Sequence, residues 1–326
     1  MGCGESRAPL SPPDRASRMP PMKRSLPPWL QASPTVARAL SAGTPIVALE
    51  TAVLTHGLPR PVNLELAREM EALIHAGGAC PATVALLDGQ IHLGLSPDEL
   101  ERLALASDAR KVNRRDLGVA VARKEHGGTT VSATMFVAHS AGVKVFVTGG
   151  IGGVHRGTAG DVSADLPELA RTPVAVVCAG AKSILDLPRT LEWLETAGVP
   201  VIGWQTDEFP AFFSRTSGLR IHARVETPAE AAGVLREHWT LGLGSGALVC
   251  VPCPEEEALP QEAVEAALER ALGAAEAGGI SGKALTPYLL SHMSDLTQGA
   301  SLRANLALLR QNARVGAELA CALVSS

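Results

Sequence analysis

Aromatic side chains are scarce in this 326-residue chain, at 3% of residues with a single tyrosine, which removes the stacking platforms on which single-stranded nucleic acids bind. Neither sign of charge prevails. Twenty-nine Lys and Arg stand against 33 Asp and Glu, for a net charge of -4 and a pI near 6.2, which argues against nucleic acid or an anionic membrane surface as the main partner. No apolar run nears the roughly 20 residues that span a bilayer, so the expectation is a soluble, cytoplasmic protein with no membrane span. Cysteine is thin too. Cys3, Cys80, Cys178, Cys250, Cys253 and Cys321 are scattered without the density of a disulfide scaffold, which suits a reducing compartment. Cys250 and Cys253 make a lone CxxC with no second Cys or His pair nearby to complete a zinc site, so they read as core.

What the chain does have is apolar bulk, 46% of residues, enough to bury a large core. Residues 1–33 differ in kind. Rich in Pro, Ser and Arg, they read as a disordered leader, and residues 34–326 as a single catalytic α/β domain. Gly2 and Ser6 match a myristoylation start, and Cys3 offers a second acylation site. A basic, Ser-bearing leader also suits organelle targeting, with Glu5 and Asp14 counting against it.

Past the leader, strand and helix patterns alternate. PIVALE (45–50) reads as a buried strand. VNLELAREMEALIHAGG carries Leu66, Met70, Leu73 and Ile74 on one helical face before Gly77-Gly78. TVALLDGQIHLGL reads as two strands joined at Asp88-Gly89, a hairpin signal. Ser96 and Glu99 form a capping box with Pro97 in the first turn. A helix TTVSATMFVAHSAG, strands VKVFVTGG and VAVVCAG, a helix DLPRTLEWLETAG, a strand VPVIGWQT, a capped helix from Thr227, a strand from Ala247 and a helical last seventy residues complete the reading. The fold class expected is α/β: a mostly parallel sheet flanked by helices on both faces, with a small hairpin and a helical C-terminal region.

Chemistry gathers where apolar strands stop, the edge at which open parallel sheets bind ligands. VAVVCAGAKSILD (174–186) delivers Lys182 among Ala, Gly and Ile, where lost hydration favours the neutral, nucleophilic amine; the bland reading is a lysine reaching back to water. Glu50 ends PIVALE, where core packing does not explain a carboxylate, and beside such an amine it becomes a general acid/base candidate. A cap or a surface acid is the plain alternative. Between Thr148 and Leu166, glycine amides with His155, Arg156, Asp161, Ser163 and Asp165 suit a phosphate and a hard divalent cation that keeps several waters. Neither nucleotide fingerprint is met: His155 stands where GxGxxG from Gly150 needs its third glycine, and around Lys283 Ala277 and Ala284 break the P-loop pattern. Lys111, Arg114 and Arg115 in KVNRRD read as a solvated helix end or an anion clamp. GGTTVSAT places hydroxyls and amides at a helix start, a second anion site.

ALETAVLTHGLPRP, PATVALLDG, KVNRRDL, GGTTVSATM, KVFVTGGIGGVHRG, DVSADL, VVCAGAKSILDL, GVPVIGWQT, PAFFSRTSG and SLRANLALL, in this order from about Pro34, together resemble the pseudouridine-5'-phosphate glycosidases of the indigoidine-synthase-A-like family. The resemblance implies reversible cleavage of the C–C glycosidic bond of pseudouridine 5'-phosphate to uracil and ribose 5-phosphate. That bond offers no heteroatom for an acid to protonate, so two carboxylates alone are a poor solution. In the family, the lysine matching Lys182 bonds to ribose C1' as the sugar opens, the Schiff base left by cleavage is hydrolysed, and the glutamate matching Glu50 donates the proton. Asp161 matches the manganese (Mn2+) ligand, with Asp165 as the alternative carboxylate. Ser163, Ala164, Asp165, Val131, Thr130 and Lys111 match substrate-contacting positions, and His155 and Asn305 fall in pocket motifs. A homotrimer is implied as well. The rival readings are a Schiff-base lyase or aldolase on another sugar phosphate, and a non-catalytic sugar-phosphate sensor.

Overall fold

The computed structural model describes residues 25–157, 160–280 and 285–325; the expectations on Gly2, Cys3, Glu5, Ser6 and Asp14 and on the stretch around Lys283 lie outside them. The strands, in chain order, are β1 (Leu30–Ala32), β2 (Ile46–Leu49), β3 (Cys80–Leu87), β4 (Gln90–Leu93), β5 (Arg110–Val112), β6 (Gly127–Thr129), β7 (Val145–Val147), β8 (Val154–His155), β9 (Ala175–Cys178), β10 (Leu185–Asp186), β11 (Val201–Trp204), β12 (Ala223–Val225) and β13 (Ala247–Cys250). The helices are α1 (Pro34–Ala42), α2 (Val62–Ala76), α3 (Pro97–Leu105), α4 (Leu117–Ala122), α5 (Val131–Ser140), α6 (Asp165–Leu169), α7 (Leu187–Thr196), α8 (Pro228–Thr240), α9 (Gln261–Ala277), α10 (Leu285–Leu296) and α11 (Ala300–Val324).

One sheet runs β1-β4-β3-β2-β7-β9-β13-β11-β12, parallel from β3 to β12. All four residues of β2, of β9 and of β13 are buried. Successive strand side chains point to opposite faces, so helices must cover both. Along one face α11 packs on β2, β7 and β9 and against α2 and α8. The antiparallel pair β3 and β4 turns at Asp88 (φ +51°) and Gly89 (φ +77°), the doubly left-handed turn that Asp-Gly favours. Ser96 and Glu99 form the expected capping box at the head of α3.

Three local expectations are corrected. Leu30–Ala32, assigned to the leader, is a strand paired in parallel with β4, with Leu30 buried against the core; three residues are too short to show a hydrophobic period. KVNRRD is a helix end only in its last residues, which lead into α4 with Asp116 as the N-cap. Lys111 lies in β5, and Arg114–Asp116 is a short 3-10 turn. The helix expected from Thr129 begins at Val131, because Gly127–Thr129 pairs with both β3 and β5 as β6.

The arginine run is thereby split. Arg114 grips the fully buried Glu168 of α6 at 2.7 and 3.0 Å and lies 4.6 Å over the Phe136 ring. Arg171 and the Thr172 hydroxyl satisfy the same carboxylate. Losing Arg114 would leave this buried carboxylate to Arg171 and Thr172 alone. Arg115 instead stays exposed at the mouth of the cavity described next.

Candidate active site

At the carboxyl edge of the sheet lies a cavity of about 370 Å³. Glu50, Lys111, Thr130, Val131, His155, Asp161, Ser163, Ala164, Asp165, Lys182 and Asn305, the full set of expected site residues, all line it.

Lys182 arrives by a bent strand exit. After β9 the chain turns at Gly180 (φ +81°), where an added Cβ would overlap the carbonyl oxygen of Pro210. Ile151 then accepts the Lys182 N–H at 3.1 Å and gives its own N–H to Gly180 at 3.0 Å. Arg156 pins the far side, donating to the carbonyls of Ser183 and Leu185 while paired with Glu265 of α9 at 2.7 and 2.9 Å. The arginine of the glycine loop therefore holds the lysine loop rather than a ligand. Lys182 itself is half-buried, between the buried Ala181 and Ser183.

Glu50 follows β2, with its carboxyl turned to the cavity and the apolar side chains of Leu49, Val53 and Leu309 around a small void beside it. Burial pushes its carboxyl above the ordinary value. The Lys182 ammonium, the Thr148 hydroxyl and Lys111 pull the other way, while Asp165 adds to the rise. The net rise favours the protonated form, the state a proton donor needs.

Asp165 serves the framework. Its Oδ1 accepts from Ser132 N at 3.0 Å and its Oδ2 from Gly152 N at 2.9 Å, so it ties the first turn of α5 to the glycine loop. Gly152 is required for this: a Cβ there would overlap Ser163 Oγ and sit 2.6 Å from Ser163 Cβ and 2.8 Å from Asp165 Oδ2. Gly152→Ala is expected to raise the KM about tenfold or more by pushing this loop out of register, with soluble yield retained; steady-state kinetics and a thermal melt check it. Asp161 is different. It is exposed at the cavity rim, and among the described residues its carboxylate takes no hydrogen bond. Its backbone carbonyl accepts from His155 N at 2.9 Å, which ties the candidate ligand to the candidate pocket histidine. Thr130 Oγ1 donates to Asn113 Oδ1 at 2.8 Å, beside Lys111.

Sequence reasoning missed several lining residues: His56, Asn113, Thr148, Phe212 and Leu290 among them. His56 sits on a π-helical turn, Val53–Gly57, that brings it back to the cavity six residues after Glu50. Burial, and behind it Lys111, lowers its pKa. Thr55 Oγ1 lies 3.0 Å from Thr51 O and 2.7 Å from His56 Nδ1, so a histidine with hydrogen on Nδ1 lets the hydroxyl donate to Thr51 O and accept from the ring at once. Phe212 takes φ +63° and closes against Gly150. A threonine at the exit of VFVT was the readable signal; nothing in PAFFS marks Phe212.

The class these features define is an α/β enzyme that brings an amine and a buried acid together in one small-molecule pocket. Residues 35–322 match the family described as indigoidine synthase A like protein. Among similar proteins, a pseudouridine-5'-phosphate glycosidase of Caldanaerobacter subterraneus is 53% identical over 297 residues, covering 90% of this chain and 97% of its own. One of Solibacter usitatus is 54% identical over 293 residues, covering 89% and 98%. An indigoidine synthase A-like protein of Thermotoga maritima superposes with a TM-score of 0.83 at 37% identity, covering 90% and 96%. The prealnumycin C-glycosynthase AlnA, solved with ribulose 5-phosphate, does so with 0.84 at 37%, covering 91% and 97%. The chain belongs to the indigoidine synthase A-like family.

Proposed function

We propose that this cavity cleaves the C–C glycosidic bond of pseudouridine 5'-phosphate, reversibly, giving uracil and ribose 5-phosphate. The relatives at 53% and 54% identity bear the name of that activity, and one observation carries its chemistry: Glu50 and Lys182 share a single cavity walled by an anion-suited rim of Lys111, Arg115 and the head of α5. The Lys182 amine bonds to C1' as the C1'–O4' bond breaks, and O4' takes up the proton that the nitrogen gives up. Glu50 then delivers its proton to the pyrimidine carbon. That C–H bond forms at the expense of the ring C=C bond; the C1'–C bond then breaks, its electron pair restoring the ring double bond while the lysine nitrogen lone pair forms the C=N bond. Water adds to that Schiff base, and ribose 5-phosphate leaves with Nζ restored. Lys111 and Arg115 meet the phosphate. Uracil release from pseudouridine 5'-phosphate by the purified protein is the test; carbonyl trapping on Lys182 without uracil release would point to another sugar-phosphate lyase.

The pocket also suits one Mn2+. Asp161 offers an open carboxylate while both Asp165 oxygens are occupied by amides, and no group of three His, Cys, Asp or Glu that could hold a metal exists among the described residues. A hard ion held by one carboxylate keeps most of its waters, and its charge would serve to orient the phosphate. Chelation is expected to lower the rate at least about tenfold and Mn2+ to restore it. Asp161→Ala should need far more Mn2+ for the same rescue; full activity in chelator removes the ion from the scheme. A homotrimer completes the reading, checked by mass in solution.

A further inference from the structure

Glu50 does not face the cavity alone. In the parallel pairing of β2 with β7, Leu49 lies opposite Val147, so the next residue of each strand, Glu50 and Thr148, emerges side by side at the sheet edge. The Thr148 hydroxyl donates to Glu50 Oε1. Thr148 is itself fixed through its backbone. Its N–H donates to Val177 O at 3.1 Å, and its carbonyl oxygen accepts from Asn312 Nδ2 at 2.8 Å. Asn312 is fully buried on α11. One turn further, a Cβ on Gly316 would overlap the side chain of Val147, so the helix packs tightly on the strand there. A β-branched side chain has few rotamers, and a backbone held at both ends leaves its hydroxyl one direction.

A hydroxyl has one hydrogen to give, and among the described residues Glu50 Oε1 is its acceptor. A protonated Glu50 then carries its own hydrogen on the other oxygen. We propose that Thr148 is the positioning residue for Glu50: it ties Oε1, makes Oε2 the oxygen that carries the transferable proton, and is held in that role by Asn312 behind it. The inference rests on the reading of Glu50 as the proton donor, and two readouts separate its failure from the failure of that reading.

Thr148→Val keeps the shape and removes the donor. The kcat for uracil release is expected to fall about 10- to 30-fold with KM within about threefold, and Thr148→Ser to recover most of it. Because the lost hydroxyl favoured the carboxylate, the alkaline limb of kcat should move to higher pH in the valine variant. Lys182, Asp165 and Lys111, whose charges also act on Glu50, and His56, Arg115, His155 and Asp161, which line the same cavity, are unchanged by the substitution. Difference infrared titration of the carboxyl band, assigned with Glu50→Gln, reads the same displacement without turnover. If the parent releases no uracil, the proposed activity fails and the infrared titration alone decides. A midpoint raised in Thr148→Val and restored in Thr148→Ser supports the proposal. A valine variant with the parent's midpoint, or a serine variant as displaced as the valine one, overturns it whatever the kcat. Thr148→Ala carries the same test should the valine variant fail to fold.

Discussion

Lys182→Met releases no measurable uracil from pseudouridine 5'-phosphate, a loss of about 10^4-fold or more, the scale on which removing a covalent nucleophile acts. Methionine keeps the length of the stem and its apolar contacts, so the variant is expected to fold and to melt close to the parent. The loss is in chemistry, not in the wall of the cavity. Borohydride with ribose 5-phosphate should fix a pentose phosphate to the parent on the peptide that holds Lys182, as the C=N bond is reduced and water is lost. The same treatment of Lys182→Met leaves no adduct. Lys111 is the internal control: it lines the same cavity but lies in β5 between Arg110 and Val112, away from the turn at Gly180 that presents Lys182. An adduct on Lys111, or uracil release by Lys182→Met near the parent's rate, would falsify the covalent role.

The candidate catalytic residues were legible because each breaks a local rule. A carboxylate after four buried strand residues and a lysine after AVVCAGA have no packing explanation, and both prove to face the cavity. The parallel order of the sheet was legible for a related reason, since strands buried on both faces lose the alternation of half-exposed ones. What escaped reading is what depends on contacts distant in the chain. The strand β1 exists because β4 offers it an edge, and β5 exists because β6 does; neither has enough residues to show a period. Arg114 and Arg115 look alike in KVNRRD, yet Glu168, 54 positions away, takes the first and leaves the second at the cavity. Arg156 was read with the anion-binding glycine loop, but Glu265 turns it into a clamp behind Lys182. His56 was overlooked because a π-helical turn follows no helical face pattern.

Glu50→Gln is expected to lower kcat for uracil release about 10^2- to 10^4-fold with KM within about threefold, because the amide keeps shape and volume and lacks only the transferable proton. In the parent, that proton must be present in the breakdown direction, so kcat should fall as pH rises through the raised pKa of Glu50, and this limb should be missing from whatever activity the glutamine variant retains. Stability supplies an independent check with the opposite readout. A carboxyl whose pKa is raised by folding binds its proton more tightly folded than unfolded, so its contribution is fully present below the ordinary value of 4.5 and is lost as pH climbs from there to the raised one. Glu50→Gln has no such loss. Its melting temperature relative to the parent should therefore rise across that window and stay level above it, while turnover remains low throughout. A relative stability independent of pH would mean that the buried carboxyl is not protonated as its surroundings demand, and the assignment of Glu50 as the acid would go with it.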